Sequence, residues 1–170
     1  FVELSQFDAS VFNTLLPAKY PFEFQGSFTG TGYLTDFHND RHIAANVLGE
    51  HVYINDSLAG DIRLLSSWNP KADHLNLQVS TTLPNGKQPL YATGSYSPSS
   101  RNLDIQASFK DFEAALVAPL LNNLVTDVYG HISGDMLLTG TLPHLDLTSQ
   151  NTRVDNLHFT IDYTKVPYAL

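Results

Sequence analysis

The chain has 170 residues, 42% hydrophobic and 15% charged, with Gly 10, Pro 9 and no cysteine. Such a length and composition fit one globular domain and exclude a disordered acidic tail, a low-complexity chain, a disulfide scaffold and thiol chemistry. Nine basic against 17 acidic residues give a net charge of −8, which argues against a nucleic-acid partner, because Lys and Arg supply the affinity for a phosphate backbone.

Taken in order, the chain first offers a short amphipathic segment, Ser10 to Leu16, with Ser10 as a candidate helix cap and Val11, Phe12, Leu15 and Leu16 on its apolar side. Period two then takes over. From Phe22 to Phe37 the even positions are Phe22, Phe24, Gly26, Phe28, Gly30, Gly32 and Leu34, while the odd ones are mostly hydroxylated or polar. One face of a strand is apolar or empty and the other is wetted. The same alternation recurs at Leu58–Leu64, Leu75–Val79, Leu103–Phe109, Val128–Leu142 and Leu157–Tyr163. Turn chemistry separates these runs at His38-Asn39-Asp40, Asn55-Asp56, Asn69-Pro70-Lys71, Asn85-Gly86, Ser97–Ser100 and Gln150-Asn151. About ten antiparallel strands joined by hairpins are expected from this spacing.

Between Asp111 and Leu124 the apolar residues Phe112, Ala115, Leu116, Leu120 and Leu124 fall near helical spacing, so a helix divided by Pro119 is expected there. The longest apolar run, Ala114 to Leu121, is far short of the roughly 20 residues a membrane-spanning helix needs. Gly26–Thr35 aligns with Gly130–Thr139 at an offset of 104, each following a strand and a short apolar helix. The expected organisation is a single elongated β domain over residues 1–170, built from about one and a half repeat units. Because the chain opens at Phe1 without a leader and stops within an apolar alternation, it reads as a fragment of a longer protein.

Glycine inside a strand gives up packing and costs conformational entropy, so rows of inward glycines need a reason. Either they serve bulges and bends in a closed sandwich or barrel, or they curve one sheet sharply and leave its apolar face unfilled. Pattern alone leaves both open. No chemistry stands out. His38 and His42 flank a turn rather than a helix face, Gly30-Thr31-Gly32 lacks the rest of a dinucleotide loop, there is no nucleophile elbow, and the carboxylates sit on outward faces or turns. A non-enzymatic protein without metal or cofactor is expected. Asn55-Asp56-Ser57 is a formal glycosylation sequon.

The stretch Leu103 to Leu170 resembles the repeat of the TamB/AsmA-like family, most closely its TamB carboxy-terminal (translocation and assembly module) region in Gram-negative bacteria. The resemblance is carried by the Phe109–Leu124 segment, then Val128–Gly134, then Leu138-Thr139-Gly140-Thr141-Leu142-Pro143, then Val154–Tyr163. The pattern departs after Leu147, where Thr148-Ser149-Gln150 replaces an expected glycine, and its proline comes early at Pro143. The resemblance implies an all-β, taco-like trough in a periplasmic protein anchored at the inner membrane, part of a bridge for phospholipid transport and outer-membrane biogenesis. Its implied partners are phospholipid acyl chains and an outer-membrane barrel assembly protein of the Omp85 class. On this reading the inward residues Phe22, Phe24, Phe28, Leu34, Ile62, Leu75, Leu77, Val79, Leu103, Ile105, Ile132, Met136, Leu138, Phe159 and Ile161 line an apolar groove. The alternatives are a chaperone-like module that receives outer-membrane strands at its sheet edge, and a closed carbohydrate-binding sandwich using Trp68 or exposed tyrosines.

Overall fold

Alternating side chains make every long segment two-faced, and the sheet that results stacks them in sequence order. The computed structural model describes residues 1–11, 13, 23–37, 40–118 and 125–170. Ten strands form one antiparallel sheet: β1 (Val2–Asp8), β2 (Phe24–Phe37), β3 (Asp40–Ile54), β4 (Ser57–Asn69), β5 (His74–Thr82), β6 (Leu90–Ser97), β7 (Asn102–Glu113), β8 (Val125–Thr141), β9 (His144–Ile161) and β10 (Val166–Ala169). Each strand pairs only with its neighbours in sequence, and the sheet does not close on itself. The fold is therefore all-β and open, and the closed sandwich does not form.

The sheet is curled. Ser57 at the start of β4 donates its hydroxyl to Glu113 Oε1 at the end of β7, at 3.1 Å. These strands are three positions apart, about 14 Å on a flat sheet at ~4.8 Å per strand, more than a serine and a glutamate side chain span. A single 3₁₀ turn, Ala114–Leu116, follows β7 and sits inside the curl, within contact of both β4 and β8. Around it lies the hydrophobic core: Val52, Ala59, Phe112 and Leu116 are buried, with Phe28, Ile54, Ile62, Leu90, Phe109 and Val117 packed against them.

Bulges set this geometry. Asp111 has φ 53° and shifts the β7–β8 register between Phe109 and Phe112. That extra residue puts Phe109 and Phe112 on the same face with ring centroids 5.1 Å apart, edge to face. Their i, i+3 spacing therefore belongs to a bulged strand, which corrects the expected helix: residues Asp111–Glu113 complete β7, only Ala114–Leu116 turns helically, and 119–124 lie outside the described residues. The segment Ser10 to Leu16 also falls mostly outside them, as does the His38-Asn39 turn. A second correction concerns Gln150-Asn151, which does not end a strand. Asn151 takes φ 52° as a bulge inside β9, and the chain reverses instead between Thr141 and His144 and again after Ile161. Turn-forming residues tolerate positive φ, and a bulge uses the same property.

The aligned segments share a backbone device. Gly26 in β2 and Gly130 in β8 both have positive φ, at 129° and 116°. A Cβ on Gly26 would press on Glu50 O, His51 O and Val52 Cα; one on Gly130 would press on Asn156 O and Leu157 Cα. His51 and Asn156, with φ 50° and 51°, are the bulge residues opposite. In both places the next strand folds over the glycine, which brings its backbone closer than any side chain would allow.

Candidate apolar groove

Cross-strand register sorts the side chains into rows. Trp68, Leu75, Tyr96, Leu103, Gly140 and Leu145 are successive partners across β4 to β9. The next row is Ser66, Leu77, Gly94, Ile105, Leu138 and Leu147, and the one after it is Leu64, Val79, Ala92, Ala107, Met136 and Ser149. These rows alternate with polar ones such as Asn46, Leu65, Gln78, Thr93 and Gln106, which occupy the opposite face. One side of the sheet is thus an aliphatic floor broken by glycines.

That floor is not filled. Leu75, Leu77, Val79, Leu103, Ile105, Met136 and Leu138 are all half-buried, and Leu64 and Leu147 are exposed at 37% and 65%. Among the described residues the buried apolar side chains, Ala9 apart, belong to the 3₁₀ turn or the core beside it, where Val52 is the largest side chain wholly out of water. Leu64, Leu77, Val79, Ala92 and Ile105 help to line an apolar hollow of about 130 Å³ on the floor. A larger depression, about 590 Å³, lies mainly on the opposite face, where Thr31, Asn46, Asn76 and Gln78 are interspersed with Tyr33 and Leu65. Its amides and hydroxyls are the solvated side of the same strands, so the smaller apolar hollow is the better candidate site.

The fifteen residues expected to line the groove divide into groups. Leu75, Leu77, Val79, Leu103, Ile105, Met136 and Leu138 share the open floor. Phe28 and Ile62 pack against the buried core, Phe24 pairs with Ile54 nearby, and Ile132 pairs with buried Phe112. Phe159 and Ile161 lie beside β10, where Phe159 stacks on Tyr168 at 5.5 Å. The backbone of Leu34 pairs with that of Ile43, and Phe22 lies outside the described residues. Sequence reasoning missed Leu64, Trp68, Ala92 and Tyr96. All four share the floor's parity; the run Leu58–Leu64 leads on to Leu64 and Trp68, whereas Ala92 and Tyr96 lie in β6, which none of the expected runs covers.

Charge is kept off the floor. Lys87 meets Asp111 at 3.0 Å, Arg153 meets Asp155 at 2.8 Å and Lys165 meets Asp162 at 3.2 Å, with the three cations largely exposed and Asp162 half-buried. The hydrogen bond from Lys87 and its charge, helped by the charge of His131, hold the Asp111 carboxyl below the usual carboxylate range. Hydrogen bonds from Ser10 do the same for Asp8. The sequon asparagine serves the fold, since Asn55 Oδ1 accepts the Glu23 backbone N–H at 2.6 Å. Among the described residues no group of three His, Asp or Glu side chains is placed to hold a metal ion. Comparison with family models, curated proteins and solved structures yields no match.

Proposed function

We propose that the half-exposed aliphatic floor is a binding surface for lipid acyl chains, and that the chain is a non-catalytic segment of a longer conduit. The observation that carries this reading is the asymmetry of burial: one end of the apolar face is packed around Phe112 and Leu116, while the aliphatic rows from β4 to β8 keep access to solvent. Contiguous apolar surface left open on a folded chain marks an interaction site. An acyl chain suits it because each methylene removed from water gains about 0.8 kcal/mol without a polar partner. The TamB/AsmA-like resemblance extends the proposal to a periplasmic bridge between membranes, anchored at the inner membrane, that moves phospholipid and meets an Omp85-class barrel protein.

Purification in a mild detergent followed by native mass spectrometry and lipid extraction tests the reading. Retained phospholipid or detergent, displaceable by a fluorescent hydrophobic probe, is the expected result. A chain that stays empty and binds no such probe overturns it. A second reading has its own observation. β10 is exposed at all four residues and, among the described residues, pairs on one side with β9, and an unpaired strand edge is a template for strand addition. Crosslinks from Tyr168 to outer-membrane strands in a lipid-free preparation are the result that favours it.

A further inference from the structure

The two ends of the floor differ in chemistry, and from that difference we infer that a phospholipid lies in the groove in one orientation, phosphate towards the β4–β5 and β6–β7 turns and chain end towards the 3₁₀ turn. This rests on the acyl-binding reading above.

Among the described residues the plugged end of the floor offers no cation to a phosphate, and its polar side chains Ser57 and Glu113 are bonded to each other at 3.1 Å. Val52, Ala59, Phe112 and Leu116 are at most 7% exposed, and the hydroxyl of Thr81, buried beside them, is taken by the Leu90 N–H at 3.1 Å. At the other end Trp68 and Tyr96 flank Leu75 in the last floor row. Trp and Tyr are apolar bodies with one polar handle, which suits them to the level where hydrocarbon gives way to a wet ester and headgroup. The turns just beyond them are tied together, Ser99 Oγ donating to Asp73 Oδ2 at 2.7 Å. Lys71 and Arg101 stand on these two turns, exposed, and neither belongs to an ion pair among the described residues; Arg63 and Lys110 are also unpaired but lie away from these turns, while Lys87, Arg153 and Lys165 are each paired. In a chain of net charge −8, two unengaged cations beside an amphipathic row complement a phosphate.

Length agrees. From Trp68 to Ile62 the floor runs six residues along β4, about 20 Å at ~3.3 Å per residue. One leaflet of a bilayer's hydrocarbon core is about 15 Å deep. An acyl chain whose ester lies level with Trp68 therefore crosses the apolar hollow between Leu64, Val79 and Ile105 and ends about 5 Å short of Ile62, on the side of the plug.

Trp68 is the single tryptophan, so its emission reports on the rim alone. The chain is loaded with phosphatidylglycerol carrying bromine either next to the ester or next to the terminal methyl, and retention is checked by native mass spectrometry. Ester-proximal bromine is expected to quench Trp68 several-fold more strongly than terminal bromine. In a Trp68→Phe, Ile62→Trp double variant the order should reverse. Equal quenching, or the opposite order in the unmodified chain with lipid retained, overturns the orientation and leaves acyl binding standing; failure to retain lipid overturns both. A Lys71→Gln, Arg101→Gln variant should bind phosphatidylglycerol several-fold more weakly and diacylglycerol unchanged. No loss, or equal loss for both lipids, refutes the placement of the phosphate.

Discussion

Replacing Val79 with Asp separates an open floor from a packed interior. Val79 is half-buried, and its row partners are Leu64 and Ala92. With water within reach, a carboxylate there stays solvated, and the expected change in folding free energy is about 1 kcal/mol, the span of strand propensities. In a sealed core the same unpaired charge would cost several kcal/mol and unfold the chain. Binding should respond far more strongly. The hollow beside Val79 has a volume of about 130 Å³, which at ~30 Å³ per water-sized group holds about four methylenes. At ~0.8 kcal/mol each they contribute about 3 kcal/mol, or about a hundredfold in affinity. A carboxylate in that hollow removes the whole contribution, because the acyl chain must strip its water. Urea unfolding followed by circular dichroism gives the stability, and titration with a fluorescent fatty acid gives the affinity. A variant that unfolds like a core mutant refutes the open floor. One that folds and binds as tightly as the parent removes Val79 from the site.

Phe112→Ala should lower stability by about 3–5 kcal/mol, the usual loss for a buried Phe, and shift the urea midpoint accordingly; a shift near zero would mean the plug is not the core. Gly94→Ala places a Cβ against Asp104 O and within 2.7 Å of Ile105 Cα, so a loss of about 1–3 kcal/mol is expected, and an unchanged midpoint would show that the two strands are free to separate. Asp111, held low by Lys87, contributes stability above its unfolded-state pKa, and that contribution is lost as pH falls through its folded value. Lys87→Met should therefore raise the Asp111 titration midpoint, read by NMR of its side chain, and an unmoved midpoint would deny the pairing. Tyr168→Lys should reduce concentration-dependent association through the β10 edge, measured by analytical ultracentrifugation, if that edge recruits other strands.

Much of this architecture was legible because one-sided burial writes itself into period two. The runs at Leu75–Val79 and Leu103–Phe109 translate directly into β5 and β7, and their inward parity into floor rows. The irregularities were not legible. Gln6, His51, Asp111, Asn151 and Asn156 all take positive φ in bulges, and in sequence a polar residue between apolar ones reads as a turn or as helical spacing. Phe109 and Phe112 looked like one side of a helix for this reason. The plug was hidden for another: Val52, Ala59, Phe112 and Leu116 come from three separate segments, and only the curl of the sheet brings them together. Trp68 needed no new information, because its place follows from counting on from the run Leu58–Leu64, whereas Tyr96 lies in β6, which none of the expected runs covers.

The strand order, in which every element lies beside the one made just before it, bears on how such a chain acquires its shape. No hairpin waits for a distant partner to be synthesised, so the growing edge can accept residues as they emerge from a ribosome or a translocation pore, and most ring closures are short. The exception is the packing of Phe112 and Leu116 on Val52 and Ala59. Until β7 arrives, the first strands form an unlocked ribbon, and the late docking of that turn is the event that commits the ribbon to its bend.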